Sequence, residues 1–179
     1  MRPIVVALLL SLLPAQPLSA APPAAGSNAA PEAGKETPAV RLPPIFLHGN
    51  ALAGEARKVT VAELDELAPG TSWTVVDPYR RQDVRYSGIQ LRDLVAALAP
   101  QAQKVRMRAV NDYITVFERR EWEKLPILLA TRDGDARMGV ANKGPARIVY
   151  LNTRENELRM QVHAPKWIWQ VIDVEFIGP

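Results

Sequence analysis

The sequence contains no cysteine. That single absence excludes disulfide staples, thiolate metal centres and cysteine nucleophiles, and it removes the acceptor for an N-terminal lipid. Histidine is almost as scarce: His48 and His163 stand far apart and show no metal-ligand spacing. The apolar stretch from Ile4 to Leu13 is too short for the roughly 20 residues that a helix needs to cross a bilayer core. No Gly-rich phosphate loop precedes a helix, and no serine nucleophile sits in a known motif with a histidine. Charge of one sign is also missing: 22 Lys+Arg face 19 Asp+Glu, for a net charge of +3 without a basic block, which argues against nucleic acid as a partner. These absences favour a binding protein over a catalyst.

What is present begins at the N-terminus. Met1-Arg2 supplies a short positive region, Ile4 to Leu13 an apolar run interrupted only by Ser11, and Leu18-Ser19-Ala20-Ala21 the small residues of a cleavage site. This pattern predicts a signal peptide over residues 1–20, cleaved after Ala20, and a periplasmic location for the mature chain. An exported domain can dispense with disulfides when it is large enough to build a core. Residues 21–41 are rich in proline, alanine and glycine and carry few large apolar groups, so they are expected to form a disordered tether. Residues 42–179 then suffice for one domain with a full core.

The texture of that domain predicts an α+β fold, with mixed sheets and few, short helices. Ile45 to His48 reads as a strand. Thr60-Val61-Ala62-Glu63 is a capping box, followed by Leu64 and Leu67 on one face and stopped by Pro69-Gly70. Ser72 to Val76 is a strand ending at Asp77-Pro78, and Tyr86 to Ile89 leads into a second helix with apolar positions 91, 94, 95 and 98. Val105, Met107 and Ala109 alternate with arginines in a half-buried strand; Asn111-Asp112 turns the chain, and Tyr113 to Phe117 returns it. Ile127 to Ala130, Ile148 to Leu151, Glu157 to Val162 and Trp167 to Ile177 complete the expected strands. In the last of these, Trp167 and Trp169 alternate onto one face.

Three segments, in order, carry a family resemblance. They are Tyr86-Ser87-Gly88-Ile89-Gln90-Leu91-Arg92-Asp93-Leu94; then Asn111-Asp112-Tyr113 with Leu128-Leu129-Ala130 and Asp133-Gly134; then Lys143-Gly144-Pro145-Ala146-Arg147-Ile148-Val149-Tyr150, with Lys166-Trp167 following. This set resembles the sulfite-oxidase-type molybdopterin-binding domain, specifically its small, cysteine-free periplasmic branch. The resemblance implies that fold over nearly all of residues 45–179. In the enzymes of the family a loop cysteine ligates molybdenum at the end of a strand; the corresponding stretch here is Val75-Val76-Asp77-Pro78-Tyr79, without sulfur. A carboxylate such as Asp77 replaces a soft thiolate poorly, so no molybdenum is expected.

For the cysteine-free branch the resemblance implies a reduced pterin as ligand, and relay of the ligand state to a membrane-bound cyclic-di-GMP signalling protein through its periplasmic domain. Two tryptophans of that branch's pattern are replaced, by Tyr79 and Arg147. A pterin needs an aromatic or guanidinium face for stacking and an acceptor for its amine edge. Tyr79 and Arg147 are expected to supply the faces, Asp77 or Asp112 the acceptor, and Gly144 a close backbone approach. Asn111, Tyr113, Lys143 and Tyr150 complete the candidate ligand-binding set, with no catalytic residue. On this reading, loss of Tyr79 or Arg147 weakens binding and leaves the fold intact. The alternative is an oxidoreductase, or a subunit of one, using a molybdopterin cofactor without a cysteine ligand.

Overall fold

The computed structural model describes residues 42–154, 156 and 161–179. The expected signal peptide, the tether and residues 157–160 of the expected Glu157–Val162 strand lie outside the described residues.

Among the described residues, ten strands form two sheets. The first has the order β2–β1–β10–β5–β6, built from β1 (Ile45–His48), β2 (Arg57–Val59), β5 (Lys104–Ala109), β6 (Ile114–Glu118) and β10 (Val171–Ile177). β1 and β10 run parallel, and the other neighbours are antiparallel. In the second sheet, β3 (Gly70–Asp77), β4 (Gln82–Gln90) and β7 (Ile127–Asp133) follow one another, and β8 (Ala136–Arg137) and β9 (Arg147–Tyr150) both pair with β7. The α+β class expected from the sequence is the observed one.

Local chemistry explains the helices. Thr60 caps α1 (Val61–Glu66) in a reciprocal capping box, accepting from the Glu63 amide while the Glu63 carboxylate accepts from the Thr60 amide. Helix α2 (Leu91–Leu98) occupies the range its apolar stripe predicts and buries Leu91, Leu94, Val95 and Leu98. A third helix, α3 (Arg119–Lys124), was not expected, because Trp122 is its one buried residue and no stripe announces it. Residues from both sheets and from α2 join one hydrophobic core, with Tyr86, Phe117, Tyr150, Trp167 and Phe176 among its large side chains.

The segment expected to lead into α2 does so as a strand, and one expected strand needs correction. Tyr86 to Ile89 is the second half of the long strand β4, where a Cβ at Gly88 would collide with the Leu129 carbonyl oxygen of β7. Trp167 to Gln170 is not a strand: a 3-10 turn (Gln161–Lys166) precedes it, the Trp167 amide donates to Ala164 O at 3.1 Å, and Gln170 has φ 56°.

That irregular segment positions the site. The Ile148 amide donates to Ile168 O at 2.8 Å, the Gln170 amide to Lys143 O at 3.0 Å, and the Val110 amide to Gln170 O at 3.0 Å. Residues 143–148 are thereby stitched to 168–170, and these in turn to the β5–β6 turn. The end of β3 is tied in separately: the Val76 amide donates to Asn152 O, and Asn152 Nδ2 donates to Val76 O, each at 2.7 Å.

Candidate functional site: an aromatic cleft above a buried ion pair

Where these segments meet, a cleft of about 290 Å³ is lined by Tyr79, Ala109, Asn111, Tyr113, Pro165, Trp167, Ile168 and Trp169. Each wall is fixed by a local bond. Tyr79 follows Asp77, whose Oδ1 accepts the amides of Tyr79 at 2.8 Å and Arg80 at 2.9 Å and so folds the chain back after β3. The Tyr79 hydroxyl donates to Ala164 O at 3.0 Å and the Tyr113 hydroxyl to Pro165 O at 2.8 Å, so two tyrosines from loops of different sheets clasp the same 3-10 turn. Both rings remain 47% exposed, an unusual share for large aromatics held this firmly. Tyr79 meets Trp169 edge to face at 5.0 Å between centroids. Burial, then the neighbouring Tyr113, pushes the Tyr79 hydroxyl pKa up.

Lys143 stands at the cleft's edge, its ammonium 4.5 Å from the Trp169 ring centroid and 5.2 Å from that of Tyr79. Its backbone is left-handed, with φ 68°. Burial, then the charge of Arg147, holds its pKa below the ordinary lysine value.

Arg147 itself is fully buried. Its Nη1 donates to the Tyr86 hydroxyl at 2.8 Å, its Nη2 lies 3.3 Å from Asp77 Oδ2, and the Tyr86 hydroxyl donates to that same oxygen at 2.7 Å. The guanidinium also faces the rings of Tyr86 at 4.9 Å and Trp167 at 5.7 Å. Burial raises the Asp77 pKa, but the hydrogen bonds from Tyr86 and the two amides, together with the Arg147 charge, outweigh it and leave the carboxyl below its ordinary value. Burial and the Asp77 carboxylate push the Tyr86 hydroxyl strongly up. Nε and Nη2 of Arg147 have no hydrogen-bond partner, so the network is strongly charged and only partly satisfied.

The residues expected from sequence therefore divide. Tyr79, Asn111 and Tyr113 line the cleft, and Lys143 sits at its edge. Asp77 and Arg147 form the ion pair beneath Trp167, so Arg147 is no stacking face: it is inaccessible, and its loss acts on the fold. Asp112, at φ 63° in the β5–β6 turn, points away, its exposed carboxylate 3.2 Å from Arg108. Gly144 meets protein rather than ligand, since a Cβ there would collide with the Met138 carbonyl oxygen. Tyr150 is buried, stacked on His163 at 4.9 Å, and does not line the cleft. Sequence reasoning missed Trp167, Trp169 and Pro165 as cleft walls and Tyr86 as the partner of Arg147. The clustered Trp-Ile-Trp at 167–169 was the available signal.

A metal does not suit this donor set. Asp77 is the carboxylate in the stretch Val75–Tyr79 where the resemblance implies a thiolate, and both its oxygens already accept hydrogen bonds, from Tyr79, Arg80 and Tyr86. A larger groove of about 500 Å³ lies beside α1, β3 and β4, and the two arginines that line it are engaged by Asp65, Arg132 at 2.6 Å and Arg137 at 3.0 Å.

The architecture that carries this cleft is a mixed α+β one, two sheets with few, short helices. Among solved structures it is similar to the sulfane dehydrogenase SoxCD from Paracoccus pantotrophus, with a TM-score of 0.53 and 14% sequence identity over 76% of this chain and 38% of that one. At that identity the likeness extends to the fold alone, and this chain spans well under half of its neighbour. No family model and no curated protein matches the sequence.

Proposed function

We propose that the protein is a binding protein for a flat, pterin-like heterocycle, held in the aromatic cleft. The supporting observation is the convergence of Tyr79, Tyr113, Trp167 and Trp169 from three separate loops onto one cleft of about 290 Å³. Such a site offers stacking and edge-on ring contacts and little chemistry. Asn111 supplies a carboxamide for the heterocycle's polar edge.

The wider reading follows the resemblance: a cysteine-free periplasmic pterin-binding branch that relays ligand state to a membrane-bound cyclic-di-GMP protein. The sulfite-oxidase-like fold is compatible with it, and equally with the alternative of a molybdopterin-using oxidoreductase subunit. The missing thiolate and the fully engaged Asp77 favour the first.

Titration of the full chain with a tetrahydropterin under anaerobic conditions, followed by tryptophan fluorescence, tests the proposal. Saturable quenching is expected, weakened about fivefold or more in Trp169→Ala, since one stacking partner contributes roughly 1 kcal/mol. Absence of pterin binding, or stoichiometric molybdenum in the purified protein, would sink it.

A further inference from the structure

We infer that the cleft prefers flat heterocycles bearing an anionic substituent, such as a carboxylate, and that Lys143 is the group that receives the anion. The inference rests on the reading of the cleft as a pterin-type site and names the class of ligand more closely.

Among the described residues, Lys143 is the cation at the cleft without a carboxylate partner. The other basic groups around it are engaged: Arg80 with Asp133 at 2.5 Å, Arg147 with Asp77 at 3.3 Å, Lys166 with Glu121 at 2.6 Å, and Arg108 with Asp112 at 3.2 Å and Asp173 at 3.4 Å. Among the described residues the Lys143 ammonium rests on the Trp169 and Tyr79 rings alone. An aromatic face attracts a cation but accepts no hydrogen bond from it in the manner of a carboxylate, so most of the ammonium's capacity for charge-assisted bonding is unused.

The stem that carries this charge is held. The Lys143 amide donates to Val140 O at 3.2 Å and its carbonyl accepts from the Gln170 amide at 3.0 Å, which fixes the residue beside Trp169. Left-handed backbone is uncommon for a side chain with a Cβ and persists where the surroundings over-determine it. The field at the ammonium comes from Arg147 and Arg80 on one side and Asp77 and Asp133 on the other, with Arg147 the strongest of the four. Counting Lys143 itself, three cations face two carboxylates, so the edge of the cleft has a positive bias that an incoming anion would relieve. The tyrosine hydroxyls do not compete for this role, because both donate to carbonyls of the 3-10 turn.

The test compares pterin with pterin-6-carboxylate by calorimetry on the full chain, for wild type, Lys143→Gln and Lys143→Arg. Wild type should bind the carboxylate about fivefold tighter than pterin, a preference that shrinks as salt is raised. Lys143→Gln should lose the preference while still binding unsubstituted pterin, and Lys143→Arg should keep it. Equal affinities for the two ligands in wild type, or an undiminished preference in Lys143→Gln, overturn the anion assignment and leave the cleft's aromatic reading standing. Failure of both ligands to bind wild type overturns the aromatic reading and this inference with it.

Discussion

Removing one member of the buried Asp77–Arg147 pair should damage the protein unequally depending on which member goes. Breaking a buried ion pair costs about 3–5 kcal/mol, because the remaining charge is left uncompensated. Asp77 has an escape: it can take up a proton. Each pH unit above its ordinary pKa of 3.8 makes that protonation dearer by about 1.4 kcal/mol, which limits the cost of Arg147→Met to about 4 kcal/mol at pH 7 and about 2 kcal/mol at pH 5. The bonds that Asp77 keeps from Tyr86 and the two amides lower the cost further. Arg147 has no such escape, since a guanidinium does not lose its proton in a protein. The defect of Asp77→Asn should therefore persist at pH 5, while that of Arg147→Met shrinks. For a domain of this size a loss of 3–5 kcal/mol lowers the melting temperature by roughly 10–20 °C. Calorimetric melting of both variants at the two pH values reads this directly, and the double variant should lose about 2 kcal/mol less than the sum of the single losses. If Arg147→Met melts within a degree or two of wild type at pH 7, the pair does not support the fold as its burial requires.

Three further outcomes follow from the same geometry. Because Asp77 titrates below its unfolded value, the stability it contributes is fully present above pH 3.8 and is lost as pH falls through the lower folded-state pKa; acid unfolding followed by tryptophan fluorescence should show this loss, and Arg147→Met, which keeps the bonds from Tyr86 and the two amides, should show less of it. Gly88→Ala should lower the urea midpoint by the equivalent of about 2 kcal/mol or more, since the new Cβ meets backbone atoms of Leu129 and Ala130 that cannot move without opening the β4–β7 pairing. Thr60→Ala removes the cap of α1 and should cost about 1 kcal/mol with an unchanged denaturant slope, whereas Thr60→Ser should be close to neutral.

Sequence alone determined whatever depends on neighbours along the chain. The stripe at 91, 94, 95 and 98 announced α2 because helical periodicity places those side chains on one face. Thr60 and Glu63 announced α1 because a capping box is satisfied within four residues. Alternation disclosed β5, and the lack of cysteine removed the thiolate chemistry outright. Helix α3 escaped notice because a single buried tryptophan carries no period, and the Trp167–Gln170 segment passed for a strand because alternation cannot reveal a positive φ at Gln170. The cleft was half legible: Tyr79, Asn111 and Tyr113 stand in the candidate set, while Trp167 and Trp169, read as residues on one face of a strand, do not. Only the tertiary structure decided the role of Arg147. Its partners Tyr86 and Asp77 lie 61 and 70 residues away in sequence, and burial depends on what the rest of the chain places around a side chain. A guanidinium that reads as a ligand-facing group in the sequence is, in the folded domain, the buried counter-charge of a carboxylate, and the ligand's walls fall to aromatics from three other loops.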